Sequence, residues 1–446
     1  MIFIALVIMA IVLHVFGYKM SAMFLFFFFI TSGFNLVPEE VTRFIFISKG
    51  IDFAFLIMLG ILIIDSIFIK DFMKPDSMTK FLLPLAIFLV VCMAYSKFVL
   101  GISLSEIIRS SRYLFFWAAW FIFRNLNHEQ LNNLLKGLFI ITLFTSILYI
   151  LQLFFETDIL NKTFVSKAEL FGMKLRRYYN HPDMLYFFTF FAIYCNPWKG
   201  GLRVLTIFIT VLALVLAFHR NLTGFFLIAI GIVWLIRLPR LKRITVLTVS
   251  GSLLLMATVF FGYRFVHSRT YTDIKNVLAG NFMDIDTDLS SVMQEGTFTF
   301  RMAHLLERTI YLQEHPRAMI IGAGLMTEDS KKTQSLFGFN VGLAGDATGE
   351  TVQLDSADIS YSVLSIRFGY LGTFVILLPI IVLMVFFYKR RGNNLAVASF
   401  SYLVLVFGSS FFSGNLMQPI TFLMPVVAYH IVCKEKKIPQ NTIDDE

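Results

Sequence analysis

Five basic residues, Lys162, Lys167, Lys174, Arg176 and Arg177, lead into the aromatic and polar stretch Tyr178-Tyr179-Asn180-His181-Pro182-Asp183. Such a cluster suits an anion, and guanidinium groups in particular pair bidentately with phosphate oxygens. A lipid phosphate or diphosphate fits this chemistry, although a loop gripping ordinary anionic headgroups would carry the same residues. Arg220 stands in Phe218-His219-Arg220-Asn221-Leu222-Thr223-Gly224, a very tight turn between two apolar runs. A charge at membrane depth is costly unless it is paired, functional or able to snorkel to the interface. Arg109 and Arg112 open a Trp-rich apolar run, where snorkelling is the simpler account.

A second group lies further along. Thr297 to Glu314 predicts an amphipathic helix, with Phe298, Met302, Leu305, Leu306, Thr309, Ile310 and Leu312 on one arc and Arg301, His304 and Arg308 along another. The expectation is a helix on the membrane surface or capping a bundle, its basic stripe at the rim. Pro316 and then Gly322-Ala323-Gly324 end it. Asp284, Asp286, Asp288 and Glu295 have the acidic spacing of a calcium loop, but Leu289 occupies the position where that loop needs glycine. Asp355-Ser356-Ala357-Asp358-Ile359-Ser360-Tyr361 leads into an apolar run containing Arg367 and Gly369-Tyr370-Leu371-Gly372. A carboxylate there could act as general base for a sugar hydroxyl, or simply favour a helix N-terminus.

The elements that hold these residues are membrane helices. Of 446 residues, 57% are apolar and 15% charged, against about 25% charged in soluble domains, and the mean hydropathy is +0.75. Apolar runs occur near 2–17, 22–37, 51–69, 81–100, 106–123, 134–155, 184–197, 202–218, 222–236, 241–263, 361–388, 395–412 and 418–433. The expected fold is therefore an all-α polytopic membrane protein with about 12–13 transmembrane helices. The first run lacks a basic flank and a cleavage site and is expected to be a span. Cys92, Cys195 and Cys433 are far apart within or beside apolar runs, which argues against disulfides or a metal centre.

Short basic segments set the orientation. Arg237/Arg240/Lys242/Arg243, Lys389/Arg390/Arg391 and Lys434/Lys436/Lys437 adjoin spans and are expected in the cytoplasm. Segments 156–183, 219–221 and 264–360 then fall outside, and the last carries seven basic against thirteen acidic residues between His267 and Ser360. The net charge of +9 thus divides into a basic bundle and an acidic outer segment too long for a connector. The expected organisation is an N-terminal bundle over 1–263, a large, mainly helical extracytoplasmic loop over 264–360, further spans over 361–433 and a cytoplasmic tail over 434–446. No nucleic-acid-binding motif is present.

Taken in order, the basic run ending at Asn180-His181-Pro182-Asp183, the Arg220 turn, the segment from Arg301 to Pro316 with Gly322-Ala323-Gly324, and Asp358 and Tyr361 ahead of Gly369-Tyr370-Leu371-Gly372 form a pattern. It resembles the bacterial O-antigen ligase and O-antigen or exopolysaccharide polymerase superfamily, over about Lys174 to Gly372. The likeness is incomplete, because the family's Trp after Arg301 and the glycines flanking Arg220 are missing. Ligases carry His where Asp358 stands, so the resemblance leans towards the polymerases. It implies a glycosyltransferase of the bacterial cytoplasmic (inner) membrane that joins undecaprenyl-diphosphate-linked glycan units without nucleotide sugar, metal or other cofactor. It implies a diphosphate cradle of Arg176, Arg177, Arg220 and Arg301, with Asp358 and Arg220 catalytic. Tyr179, His181, His304, Asp355, Arg109 and Arg112 stand second. Membrane lipids, a chain-length regulator and a flippase are the implied partners. A ligase, a lipid-linked oligosaccharide flippase and a non-catalytic assembly protein remain as alternatives.

Overall fold

The computed structural model describes residues 2–37, 50–161, 165–170, 173–238, 297–327, 333, 337, 339, 341, 354 and 359–435. The first helices, α1 (Ile2–Val15), α2 (Lys19–Ile30) and α3 (Gly50–Phe68), pack on one another. They are followed by α4 (Thr79–Ala94), continued by a π-turn over Tyr95–Val99, then α5 (Leu104–Phe115), α6 (Ala119–Arg124) and α7 (His128–Phe155). A hairpin of β1 (Val165–Leu170) and β2 (Met173–Tyr178) precedes α8 (Leu185–Cys195), α9 (Gly200–Leu216) and α10 (Arg220–Arg237). Beyond come α11 (Thr297–Glu314), α12 (Pro316–Ile321), α13 (Ser360–Lys389), α14 (Asn394–Ser409) and α15 (Pro419–Glu435).

The chain is a predominantly helical membrane protein. Among the described residues, α3, α4 with its π-turn, α7 and α13 are long and apolar enough to cross a bilayer, and six further apolar helices are shorter. The expected run 241–263 and the acidic positions Asp284, Asp286, Asp288 and Glu295 lie outside the described residues. The other apolar runs largely coincide with helices, apart from 22–37, whose helix α2 ends at Ile30 and gives way to turns, and 106–123, which is divided between α5 and α6 by a short 3-10 turn at Phe116–Ala118. Helix α7 begins at a reciprocal cap in which Asn127 accepts from the Gln130 amide and Gln130 accepts from the Asn127 amide.

Helices in lipid gain little from apolar burial alone and must associate through close packing and hydrogen bonds. Both occur here. Trp117 stacks on Phe422 of α15 with centroids 4.3 Å apart, and Trp120 lies against Tyr429 and His430. Buried polar groups are paired between helices: His14 Nε2 lies 2.7 Å from Asp65 Oδ1, joining α1 to α3, and Arg112 of α5 pairs with Asp52 of α3. Trp120 Nε1 donates to Asp76 Oδ2 at 3.0 Å.

The two glycine motifs meet. Helix α13 is interrupted at Gly369, whose φ of 71° and ψ of −177° no other residue adopts without strain. A break releases main-chain carbonyls, and that of Ile366 accepts from the Ala323 amide at 2.7 Å. A Cβ on Gly322 (φ +79°) would stand 2.1 Å from the Arg367 carbonyl oxygen, and one on Gly369 would stand 2.6 Å from the Ile320 carbonyl. Only glycine lets the end of α12 meet the break in α13 backbone to backbone. We therefore expect Gly322→Ala and Gly369→Ala each to lower the thermal stability of the detergent-purified protein, with about 1–3 kcal/mol from backbone strain alone. Gly392→Ala, with no heavy atom within 4 Å of the new methyl, should leave the melting temperature unchanged.

Candidate functional site

Side chains in a strand alternate between its faces, so Arg176 and Arg177 of β2 point in opposite directions. Arg176 is exposed and engages Glu156, its Nε 3.2 Å from Glu156 Oε2. Arg177 faces inward. Its Nη2 donates to Nδ1 of His219 at 3.0 Å, and its guanidinium lies over the Tyr179 ring, 4.4 Å from the centroid. His219 also meets His181 edge to face with ring centroids 5.1 Å apart, and Tyr179 at 6.0 Å.

Two elements hold this cluster in place. From α7, the Tyr149 hydroxyl donates to the Tyr178 carbonyl at 3.0 Å, and Gln152 Nε2 donates to Asn180 Oδ1 at 2.8 Å. Gln152 Oε1 also accepts from the Ile159 and Leu160 amides, so one side chain ties both ends of the segment around the hairpin to the same helix. From the other side, the turn between α9 and α10 presents His219 as the residue before the first turn of α10. Phe218 adopts a left-handed φ of 51° to make that turn. Arg220 is the first residue of α10.

Helix α11 has the expected bounds, but part of the stripe expected at the rim is inside: His304 and Arg308 are fully buried and Arg301 half-buried, while on the apolar arc Leu312 is fully buried and Met302, Leu305 and Leu306 are half-buried. Arg308 donates to Glu307 Oε2 at 2.6 Å and to the Leu354 carbonyl at 3.3 Å, and its guanidinium lies 4.0 Å from the centroid of the Phe339 ring. Glu307 Oε2 also accepts from the Val341 amide at 3.0 Å. A buried charge requires this degree of pairing, and Arg308 anchors structure. His304 Nδ1 lies 2.9 Å from the Ser362 hydroxyl at the start of α13. Two turns before Arg308, Arg301 acts electrostatically on His219.

The sequence-predicted residues thus divide. Arg177, Tyr179 and His181 come together around His219, on which Arg301 acts electrostatically, with Arg220 adjacent in the chain. Arg176 turns away to Glu156. Arg112 is taken up by Asp52, and Arg109 Nη2 donates to Thr327 Oγ1 at 2.9 Å. Asp355 and Asp358 lie outside the described residues. They precede Ser360, whose hydroxyl donates to the Ser413 carbonyl and accepts from the Leu416 amide. His219 was not singled out from the sequence, and its one signal was its place beside Arg220 in the tight turn. Among the described residues no three His, Cys, Asp or Glu side chains converge as a metal site requires.

The electrostatics of the cluster oppose added positive charge. Desolvation and Arg177 lower the pKa of His181 to about 4. Desolvation, followed by His181, Arg177 and Arg301, lowers that of His219 to about 2. Desolvation and Arg308 likewise lower His304. Burial raises Asp183 to about 6, partly countered by a hydrogen bond from Asn35. The sequence matches no family model, and no curated protein is significantly similar to it.

These shifts act on stability in opposite directions. A histidine whose pKa is depressed on folding contributes stability above its ordinary pKa of about 6.5 that is lost as pH falls towards the folded value. Asp183, raised to about 6, contributes stability below about 4 that is lost as pH rises through 6. The histidines are the more numerous and more strongly shifted. Thermal unfolding should therefore move to lower temperature as pH falls from 6.5 to 4. Asp183→Asn should steepen that decline and His219→Gln should flatten it, as measured by melting curves in detergent or nanodiscs across this pH range.

Proposed function

We propose that this protein is an integral-membrane glycosyltransferase that polymerises undecaprenyl-diphosphate-linked oligosaccharide units into a cell-surface polysaccharide, at the outer face of a bacterial cytoplasmic membrane. In this reading the chain has about 12–13 spans, its 264–360 segment is extracytoplasmic, and its C-terminus is cytoplasmic. The observation that carries the reading is the contact of Arg177 with His219, the residue before Arg220, at a ring that also feels the charge of Arg301 from α11. Such an arrangement fits a diphosphate, and it draws on three of the four blocks on which the family resemblance rests.

The chemistry would run as a displacement. An acceptor sugar hydroxyl attacks the anomeric carbon of the donor glycan, and the bond from that carbon to the diphosphate oxygen breaks. The leaving diphosphate keeps the electron pair, and the charge developing on it is stabilised by guanidinium groups already in place. Arg177, Arg220 and Arg301 would supply them, while Arg176 remains with Glu156. The hydroxyl proton would pass to Asp358, two residues before the anchored Ser360. Asp rather than His at this position favours polymerase over ligase.

Arg220→Ala and Asp358→Asn should each abolish polymer while the protein stays in the membrane, whereas Arg176→Ala should retain it. Glycan profiles of a deletion strain carrying each variant check this. Deletion should leave single-repeat glycans. Long lipid-linked chains left unattached would mark a ligase instead, and wild-type polymer from folded Arg220→Ala or Asp358→Asn protein would contradict the assignment.

A further inference from the structure

We infer that His219 is held in a single neutral tautomer whose Nε2–H is a hydrogen-bond donor to an anionic oxygen of the bound substrate, and that it is not a base. The identity of that oxygen as part of a lipid diphosphate rests on the function proposed above. The tautomer does not.

A guanidinium carries five N–H donors and no acceptor. Arg177 Nη2, 3.0 Å from His219 Nδ1, can only donate, so Nδ1 must offer its lone pair. In a neutral imidazole the proton then resides on Nε2. That atom is buried and has no hydrogen-bond partner among the described residues. A doubly protonated ring would set an Nδ1–H against the guanidinium N–H at the same 3.0 Å, which is repulsive both as a dipole contact and as a pair of like charges.

Among the described residues, the groups whose contact with the ring or electrostatic effect on it is resolved carry no negative charge. Arg177 approaches from β2 and the Tyr179 ring and His181 from the following loop, the charge of Arg301 on α11 also acts on the ring, and Arg220 follows in the chain. The lone pair is therefore occupied by Arg177 and the other nitrogen already holds a proton, so the imidazole has no free site at which to accept one. It can present a directed N–H without adding to the positive charge of the cluster. Guanidinium groups attract a diphosphate from many angles; a fixed neutral donor selects one oxygen position. Proton acceptance in the reaction must fall to a group outside this cluster.

The test uses the full chain, labelled with 15N-histidine, in lipid nanodiscs, with the His219 signal assigned by its loss in His219→Gln. If that variant does not fold, Arg177→Lys makes the assignment, because it perturbs the ring that Arg177 contacts most directly. From pH 5.5 to 8 the His219 ring should show an unprotonated Nδ1 and a protonated Nε2, without titrating. Added undecaprenyl diphosphate should shift the Nε2 resonance, and Arg177→Ala should release a mixture of tautomers. Titration of His219 near 6.5, or an Nδ1–H tautomer, would overturn the inference whatever the protein's activity. A fixed Nε2–H tautomer indifferent to saturating undecaprenyl diphosphate would overturn the contact with substrate, while the glycan profile separately decides the proposed function.

Discussion

A main-chain carbonyl or a charged side chain within a bilayer finds no water to pair with, and this constraint shapes each irregular feature of the bundle. The break at Gly369 releases carbonyls, and the Ile366 carbonyl is met by the amide of Ala323. The two charged groups at Arg112 and Asp52 pair with one another, and His14 Nε2 pairs with Asp65 Oδ1. Arg308, fully buried, takes up Glu307, a carbonyl and an aromatic face. Each compensation links segments distant in sequence. Together they give the helices a specific arrangement that apolar contact in lipid would not specify.

The candidate site departs from this pattern. Arg177 is met by a neutral histidine and the face of a tyrosine, neither of which cancels its charge. Arg301 adds a second guanidinium to the same neighbourhood. Tyr149, Gln152 and the α9–α10 turn hold the segment that carries Arg177 in place, as preorganised stabilisation of a developing anion requires. The contrast with Arg308 is instructive. Arg308 is fully buried, has a carboxylate 2.6 Å away and serves the fold, whereas the contacts described for Arg177 leave attraction for an incoming anion.

Much of the helical framework is legible from hydropathy because a span must be continuously apolar over a length set by the bilayer. The bounds of α11 follow from periodicity and from Pro316. Its orientation does not, since reading the Arg301, His304 and Arg308 stripe as solvent-facing assumes that charge seeks water. Here Glu307, Leu354 and Ser362 supply partners from within, and His304 and Arg308 are buried. The difference between Arg176 and Arg177 was likewise hidden. Adjacent arginines in one run look equivalent until strand alternation sends them to opposite faces. The role of His219 depends on a contact across 42 positions with Arg177, which no local pattern encodes.

The central claim is that the arginine-rich cluster around His219 receives a lipid diphosphate as the leaving group of glycan transfer. Its most direct test is to supply the purified full chain in nanodiscs with a synthetic undecaprenyl-diphosphate-linked repeat unit and to follow the products by mass spectrometry. The account predicts lipid-linked chains lengthened by whole repeats, one undecaprenyl diphosphate released for each bond formed, and loss of both products in Arg177→Ala. Elongation without release of undecaprenyl diphosphate, or full elongation by folded Arg177→Ala protein, would contradict it.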